Sequence, residues 1–183
     1  MPVDFLYSIM KVIFLDIDGV MNSANFYRRK CSKSWEWTNM FGKYISYSVD
    51  PDAVALLNRL IKETGAVVVL SSTWRNGPQF PALKEDFRKI GIDIFDRCPC
   101  WGLKGVTDWI RVEDDNGHSY TTQIPRGEIV DAWLKEHPEV EGYVILDDSD
   151  VFTDEHRNHL VITDDEVGIT EKDILAAINI LNI

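Results

Sequence analysis

Carboxylates stand at the ends of two apolar runs in this 183-residue chain. Val12-Ile13-Phe14-Leu15 leads into Asp16-Ile17-Asp18-Gly19, and Tyr143-Val144-Ile145-Leu146 leads into Asp147-Asp148. Acidic groups crowded at the mouth of a buried sheet are costly unless a cation compensates them. Hard oxygen ligands in small number suit Mg²⁺, which keeps several of its waters. A single Asp at a strand end is most often a helix cap or turn residue. The same ending on two strands points instead to a metal site formed around Asp16, Asp18, Asp147 and Asp148. Asp150, two residues further on, reads as structural. A third run, Val67-Val68-Val69-Leu70, ends in Ser71-Ser72-Thr73-Trp74-Arg75. Hydroxyls and main-chain N–H groups at such a turn hold phosphate oxygens well, and Arg supplies a two-pronged donor. Arg126-Gly127-Glu128 places a cation at the start of a helix, where the dipole also favours an anion. Ser71, Ser72, Arg75 and Arg126 are the candidate anion-binding residues.

These groups need a frame that brings distant strand ends together. Five short runs rich in Val, Ile and Leu read as buried strands: 12–15, 67–70, 92–95, 143–146 and 160–162. Parallel strands covered on both faces have this composition. Helical patterns alternate with them. Asp50-Pro51 reads as the cap and first residue of a helix that carries Val54, Leu57, Leu60 and Ile61 and is closed by Gly65. Further helices are predicted over 82–90, stopped by Gly91, and over 127–137, before Pro138. A last one begins at Thr170, with Asp173 three residues on in the manner of a capping box. The alternation predicts an α/β sandwich with a parallel sheet, as one domain over residues 1–183 with 1–9 as an extension. Two stretches interrupt it: 21–49, expected as a small cap-type insertion, and 97–125, whose Asp114-Asp115-Asn116-Gly117 predicts a hairpin. Insertions after strand ends, where open α/β sheets bind ligands, are more often functional than accidental.

Composition bounds the function. Lys and Arg number 19 against 30 Asp and Glu, a net charge of −11. That balance excludes a broad duplex-coating surface and disfavours adhesion to an anionic membrane. No apolar run approaches the roughly 18 residues of a membrane span, and no basic leader precedes the first strand. Three cysteines in an acidic chain predict a reduced, cytoplasmic setting. Cys98-Pro99-Cys100 offers too few ligands for a metal. His156 and His159 also lack a third ligand and read as surface or packing histidines. Residues 21–49 invert the overall sign. They hold seven of the twenty aromatics and five cations, Arg28, Arg29, Lys30, Lys33 and Lys43, against Glu36 alone. Interleaved aromatic and basic side chains suit base stacking beside phosphate. The alternative is a cap with its own small core and solvated cations.

The motifs together resemble the haloacid dehalogenase-like phosphohydrolase superfamily. Its pattern is a strand followed by Asp-x-Asp-Gly, a strand ending in Ser or Thr, a Lys or Arg, and a strand ending in paired acids. All four occur in that order between Val12 and Asp148. Leu15–Val20, Leu70–Arg75 and Leu146–Asp148 are most similar to a nucleic-acid-repair subgroup that includes polynucleotide kinase–phosphatase-like proteins. Leu160–Thr163 and Gly168–Thr170 share that likeness. Arg126 departs from it, standing where many relatives carry Lys; it keeps the charge without the compact ammonium.

The resemblance implies a Rossmann-like three-layer fold and a Mg²⁺-dependent phosphomonoesterase. Asp16 would be the nucleophile of an aspartyl-phosphate, and Asp18 the acid and then the base. Asp16, the Asp18 carbonyl, Asp147 and Asp148 would hold or orient Mg²⁺. Ser71, Ser72 and Arg126 would hold the phosphoryl group, with Arg75 as a second cation. The expected substrate is a nucleotide or a nucleic-acid 3′-phosphate end. The alternatives are a phosphatase of a non-nucleotide metabolite, a phosphotransferase, or a non-catalytic domain that binds Mg²⁺ and phosphate. No Gly-x-x-x-x-Gly-Lys-Ser/Thr loop accompanies the motifs, so no kinase activity is expected within the chain. No protein partner is predicted.

Overall fold

The computed structural model describes residues 10–31, 48–76, 78, 80–101 and 109–183. Its elements are β1 (Met10–Leu15), α1 (Ala24–Cys31), α2 (Pro51–Thr64), β2 (Val67–Leu70), α3 (Phe80–Lys89) and β3 (Ile94–Arg97). They continue with β4 (Trp109–Glu113), β5 (Ser119–Gln123), α4 (Arg126–Glu136), β6 (Val140–Asp147), β7 (Leu160–Ile162) and α5 (Glu171–Leu181). Strands 1, 2, 3, 6 and 7 form one parallel sheet in the order β3-β2-β1-β6-β7.

The two-residue period of β1 sets the layers. Ile13 and Leu15 belong to the core beneath α2, α3 and α5, with Leu57, Leu60, Phe87, Ile174, Ala177 and Leu181. Val12 and Phe14 face the opposite core, against Ile129, Val130 and Trp133 of α4. Both faces of β1 are therefore sealed, and the Phe14 and Trp133 rings pack edge to face with their centroids 5.5 Å apart. The expected three-layer α/β sandwich is present. No helix among the described residues is long and apolar enough to cross a membrane.

Cap chemistry locates both ends of α2 and the start of α5 as the sequence predicts, while β1 and β6 begin two and three residues earlier than expected. The Asp50 side chain accepts from Asp52 N, and Gly65 closes α2 at φ +70°. Thr170 and Asp173 form a reciprocal capping box at α5. The predicted hairpin is present as the antiparallel pair β4–β5. The third sheet strand begins two residues later than predicted, at Ile94. Gly91, at φ +90°, ends the turn after α3, and Ile92 N still donates to Phe87 O. Ile92 is buried, so its apolar side chain reports packing rather than strand pairing.

Among the described residues of 21–49 stands a helix that apolar periodicity does not reveal, α1, begun by Ser23 Oγ accepting from Phe26 N at 3.1 Å. Trp35, Trp37, Phe41, Tyr44, Tyr47, Lys33 and Lys43 lie outside the described residues. Arg28 pairs with Glu166 and Arg29 with Asp50. Two of the five cations in 21–49 are thus engaged by carboxylates, Glu166 and Asp50.

Candidate active site

Strand register brings the motifs together. Leu15 is level with Leu70 on one side and Leu146 on the other. The next residue on each chain, Asp16, Ser71 and Asp147, emerges at the same edge of the sheet. Main-chain bonds hold them there: Asp16 N donates to Leu146 O and Ser71 N to Leu15 O, both at 2.9 Å. The β1–β6 boundary is where the strand order reverses, the crevice in which open α/β sheets bind ligands.

Asp16, Asp147 and Asp148 each present a carboxylate oxygen within 4.8 Å of the other two. Asp16 and Asp147 are buried, and Asp148 is partly so. Burial, followed by the Asp16 charge, pushes the Asp147 carboxyl up to about 7 against the pull of Arg126. The same two causes raise Asp148 above the usual carboxylate range. Such a set of crowded, partly desolvated hard oxygens fits a divalent cation. Arg126, the first residue of α4, donates from Nη1 to Asp16 Oδ2 and, at 2.7 Å, to Asp147 Oδ2. Burial opposes its charge, but the two carboxylates hold the guanidinium above the ordinary arginine range.

Gly19 is required by this crowding. It sits at φ +75°, and an added Cβ would lie 2.2 Å from Asp148 Oδ2. Thr163, to which the sequence assigns no role in the site, ties the loop to the far side of the sheet. Its Oγ1 donates to Gly19 O, and its N–H donates to Asp147 O, each at 2.9 Å.

Asp18 stands apart from the carboxylate cluster. It is exposed, with Oδ1 accepting from Asn22 Nδ2 at 2.9 Å and Oδ2 from Trp74 Nε1 at 2.8 Å. Neither donor was among the sequence candidates, although both lie within four residues of one.

The hydroxyl motif divides its labour. Ser71 Oγ is buried and has no hydrogen-bond partner among the described residues, so it is a ready donor at the mouth of the sheet. Ser72 instead caps the short 3₁₀ turn at 73–75, accepting from Trp74 N. Arg75, expected as a second cation on the phosphoryl group, is fully buried. It donates to the carbonyls of Ser71, Ser72, Cys98 and Pro99. A guanidinium enclosed by carbonyls holds the loop from beneath and leaves the anion to other groups.

The other residues that the motifs single out make the following contacts. Asp150 pairs with Arg157. Cys98 is buried, and neither it nor Cys100 joins a metal-ligating group among the described residues. His159 stacks on Tyr143. Buried His156 sits with Nε2 3.0 Å from Asp131 Oδ1 and Nδ1 2.8 Å from Thr153 Oγ1. Gly127 leaves it room, since a Cβ there would lie 2.9 Å from the ring. That contact steadies the first turn of α4, from which Arg126 projects.

The sheet order, the paired acids and the hydroxyl-bearing strand define the haloacid dehalogenase-like class. Within it, residues 12–174 match the family described as the HAD domain in Swiss Army Knife RNA repair proteins, and the chain belongs to that family. No curated protein and no solved structure matches the chain.

Proposed function

We propose that this protein is a Mg²⁺-dependent phosphomonoesterase that removes the terminal phosphate of a nucleic-acid end or nucleotide through an aspartyl-phosphate on Asp16. The observation that carries the reading is the convergence of Asp16, Asp147 and Asp148 beside the unpartnered hydroxyl of Ser71. Asp16, Asp147, Asp148 and the Asp18 carbonyl would hold Mg²⁺, which neutralises charge on the phosphoryl oxygens when bound.

The chain's own groups do the rest. An Asp16 carboxylate oxygen bonds to phosphorus as the bond to the leaving oxygen breaks, and Asp18 passes its proton to that oxygen. Water then bonds to phosphorus, its proton returns to Asp18, and the Asp16–phosphorus bond breaks. Inorganic phosphate leaves, and both carboxylates are restored. Ser71 Oγ donates to a phosphoryl oxygen. Arg126 uses only Nη1 on the carboxylates; its Nη2 and Nε, unbonded among the described residues, would donate to the phosphoryl oxygens as well.

The family's description supports a nucleic-acid substrate, as does the aromatic and basic composition of 21–49. The test is phosphate release from a panel of 3′- and 5′-phosphorylated oligonucleotides, mononucleotides and sugar phosphates. Preference for oligonucleotide ends or nucleotides is expected; release from sugar phosphates alone would refute the substrate class. Asp16→Asn should cut turnover at least about 10³-fold with the fold retained, and undiminished Mg²⁺-dependent turnover in that variant would refute the nucleophile.

A further inference from the structure

We infer that Trp74, with Asn22 opposite it, positions the Asp18 carboxylate for proton transfer, an inference that rests on Asp18 being the acid and base proposed above. An exposed carboxylate ordinarily samples several rotamers. Asp18 is exposed, yet each of its oxygens is held by a donor from a different segment: Trp74 Nε1 at 2.8 Å and Asn22 Nδ2 at 2.9 Å.

Both donors are themselves fixed. The Trp74 ring packs against the core shared by α2 and α3, and its indole N–H is its one side-chain polar group, a donor only. Asn22 is buried; its Oδ1 accepts from Gly19 N at 3.1 Å, while Nδ2 also reaches Tyr27 Oη at 2.9 Å. Asn22 therefore reads both the acid and the turn that follows it. The result is that Asp18, only two residues after Asp16, is drawn out of the cluster formed by Asp16, Asp147 and Asp148. A proton donor to a leaving group must stand off the metal and keep a fixed direction, and these bonds supply both conditions.

Leaving-group dependence separates this role from mere packing. Trp74→Phe keeps the ring and removes the N–H. Wild type and variant are compared with Mg²⁺ on p-nitrophenyl phosphate, whose leaving group departs as a stable anion, and on benzyl phosphate, whose alkoxide needs a proton. The kcat loss is expected to be about tenfold or more larger on benzyl phosphate, with KM little altered. In an Asp18→Asn background the same substitution should cost little more, because the group it orients is gone. Equal losses on both substrates, or a full further loss in that background, would overturn the inference. If Trp74→Phe unfolds, Asn22→Ser removes the donor to the other oxygen and takes the same comparison. Wild-type protein that hydrolyses neither ester would instead overturn the phosphatase reading itself.

Discussion

Gly19→Ala, paired with Gly65→Ala, isolates the contact that shapes the acidic cluster. Both glycines are left-handed, at φ +75° and +70°. An alanine there costs about 1–2 kcal/mol from the backbone alone. At Gly65 nothing lies within 4 Å of the added carbon, so that backbone cost is the whole effect, a Tm decrease of roughly 2–8 °C. At Gly19 the new carbon meets Asp148 Oδ2 at 2.2 Å, Cγ at 2.5 Å and Cβ at 2.6 Å. Rotating the carboxylate clears only its outer atoms; the Cβ contact demands that the Asp148 backbone move. To bring Oδ2 from 2.2 Å to ordinary contact at 3.4 Å takes a shift of about 1.2 Å. Displacing a group that holds or orients the cation's waters should weaken Mg²⁺ roughly 10–100-fold. The assay is the Mg²⁺ concentration for half-maximal phosphate release, together with the Mg²⁺-induced rise in Tm. Gly65→Ala should keep the wild-type value and Gly19→Ala should not. Equal stability losses and equal Mg²⁺ dependence in the two variants would refute the reasoning.

Two further predictions concern the groups around that cluster. Asp147, raised from its ordinary 3.8 to about 7 first by burial and then by Asp16, gives the metal-free protein a stability that is complete below about pH 4 and lost as pH rises through 7. Mg²⁺ needs the deprotonated carboxylate, so the Mg²⁺-induced Tm rise should be larger at pH 8 than at pH 6; a rise that does not vary with pH contradicts this. Arg75→Met should cost at least about 3 kcal/mol in urea denaturation, since several buried carbonyls lose their donor at roughly 1–3 kcal/mol each. A loss under about 1 kcal/mol would mean that the loop does not depend on it.

Much of this site was legible because its chemistry rests on strand ends. Val12–Leu15 and Tyr143–Leu146 are apolar enough to mark buried strands, and the carboxylates after them had to surface at an edge. Cap chemistry at Asp50, Gly65 and Thr170 acts over a few residues, so local pattern located those helix ends. Arg75 is illegible for the opposite reason. Its motif position suggests a second cation on the phosphoryl group, but its environment comes from the carbonyls of Cys98 and Pro99, more than twenty residues away. Trp74 carries no such signal, because an aromatic in that place reads as packing and nothing nearby in the chain reveals an N–H aimed at Asp18.

The sequence alone determined the residue types, the strand-ending motifs, the family likeness and the alternation that produces a parallel sheet. Only the tertiary structure decided which cations serve the acids and which serve the scaffold. It set Arg126 between Asp16 and Asp147 and enclosed Arg75 among carbonyls. It also held Asp18 away from its neighbouring acids. The reason is physical: charge and hydrogen-bonding capacity belong to the residue, but burial and partner geometry arise where distant segments meet, and those settle what a charged group can do.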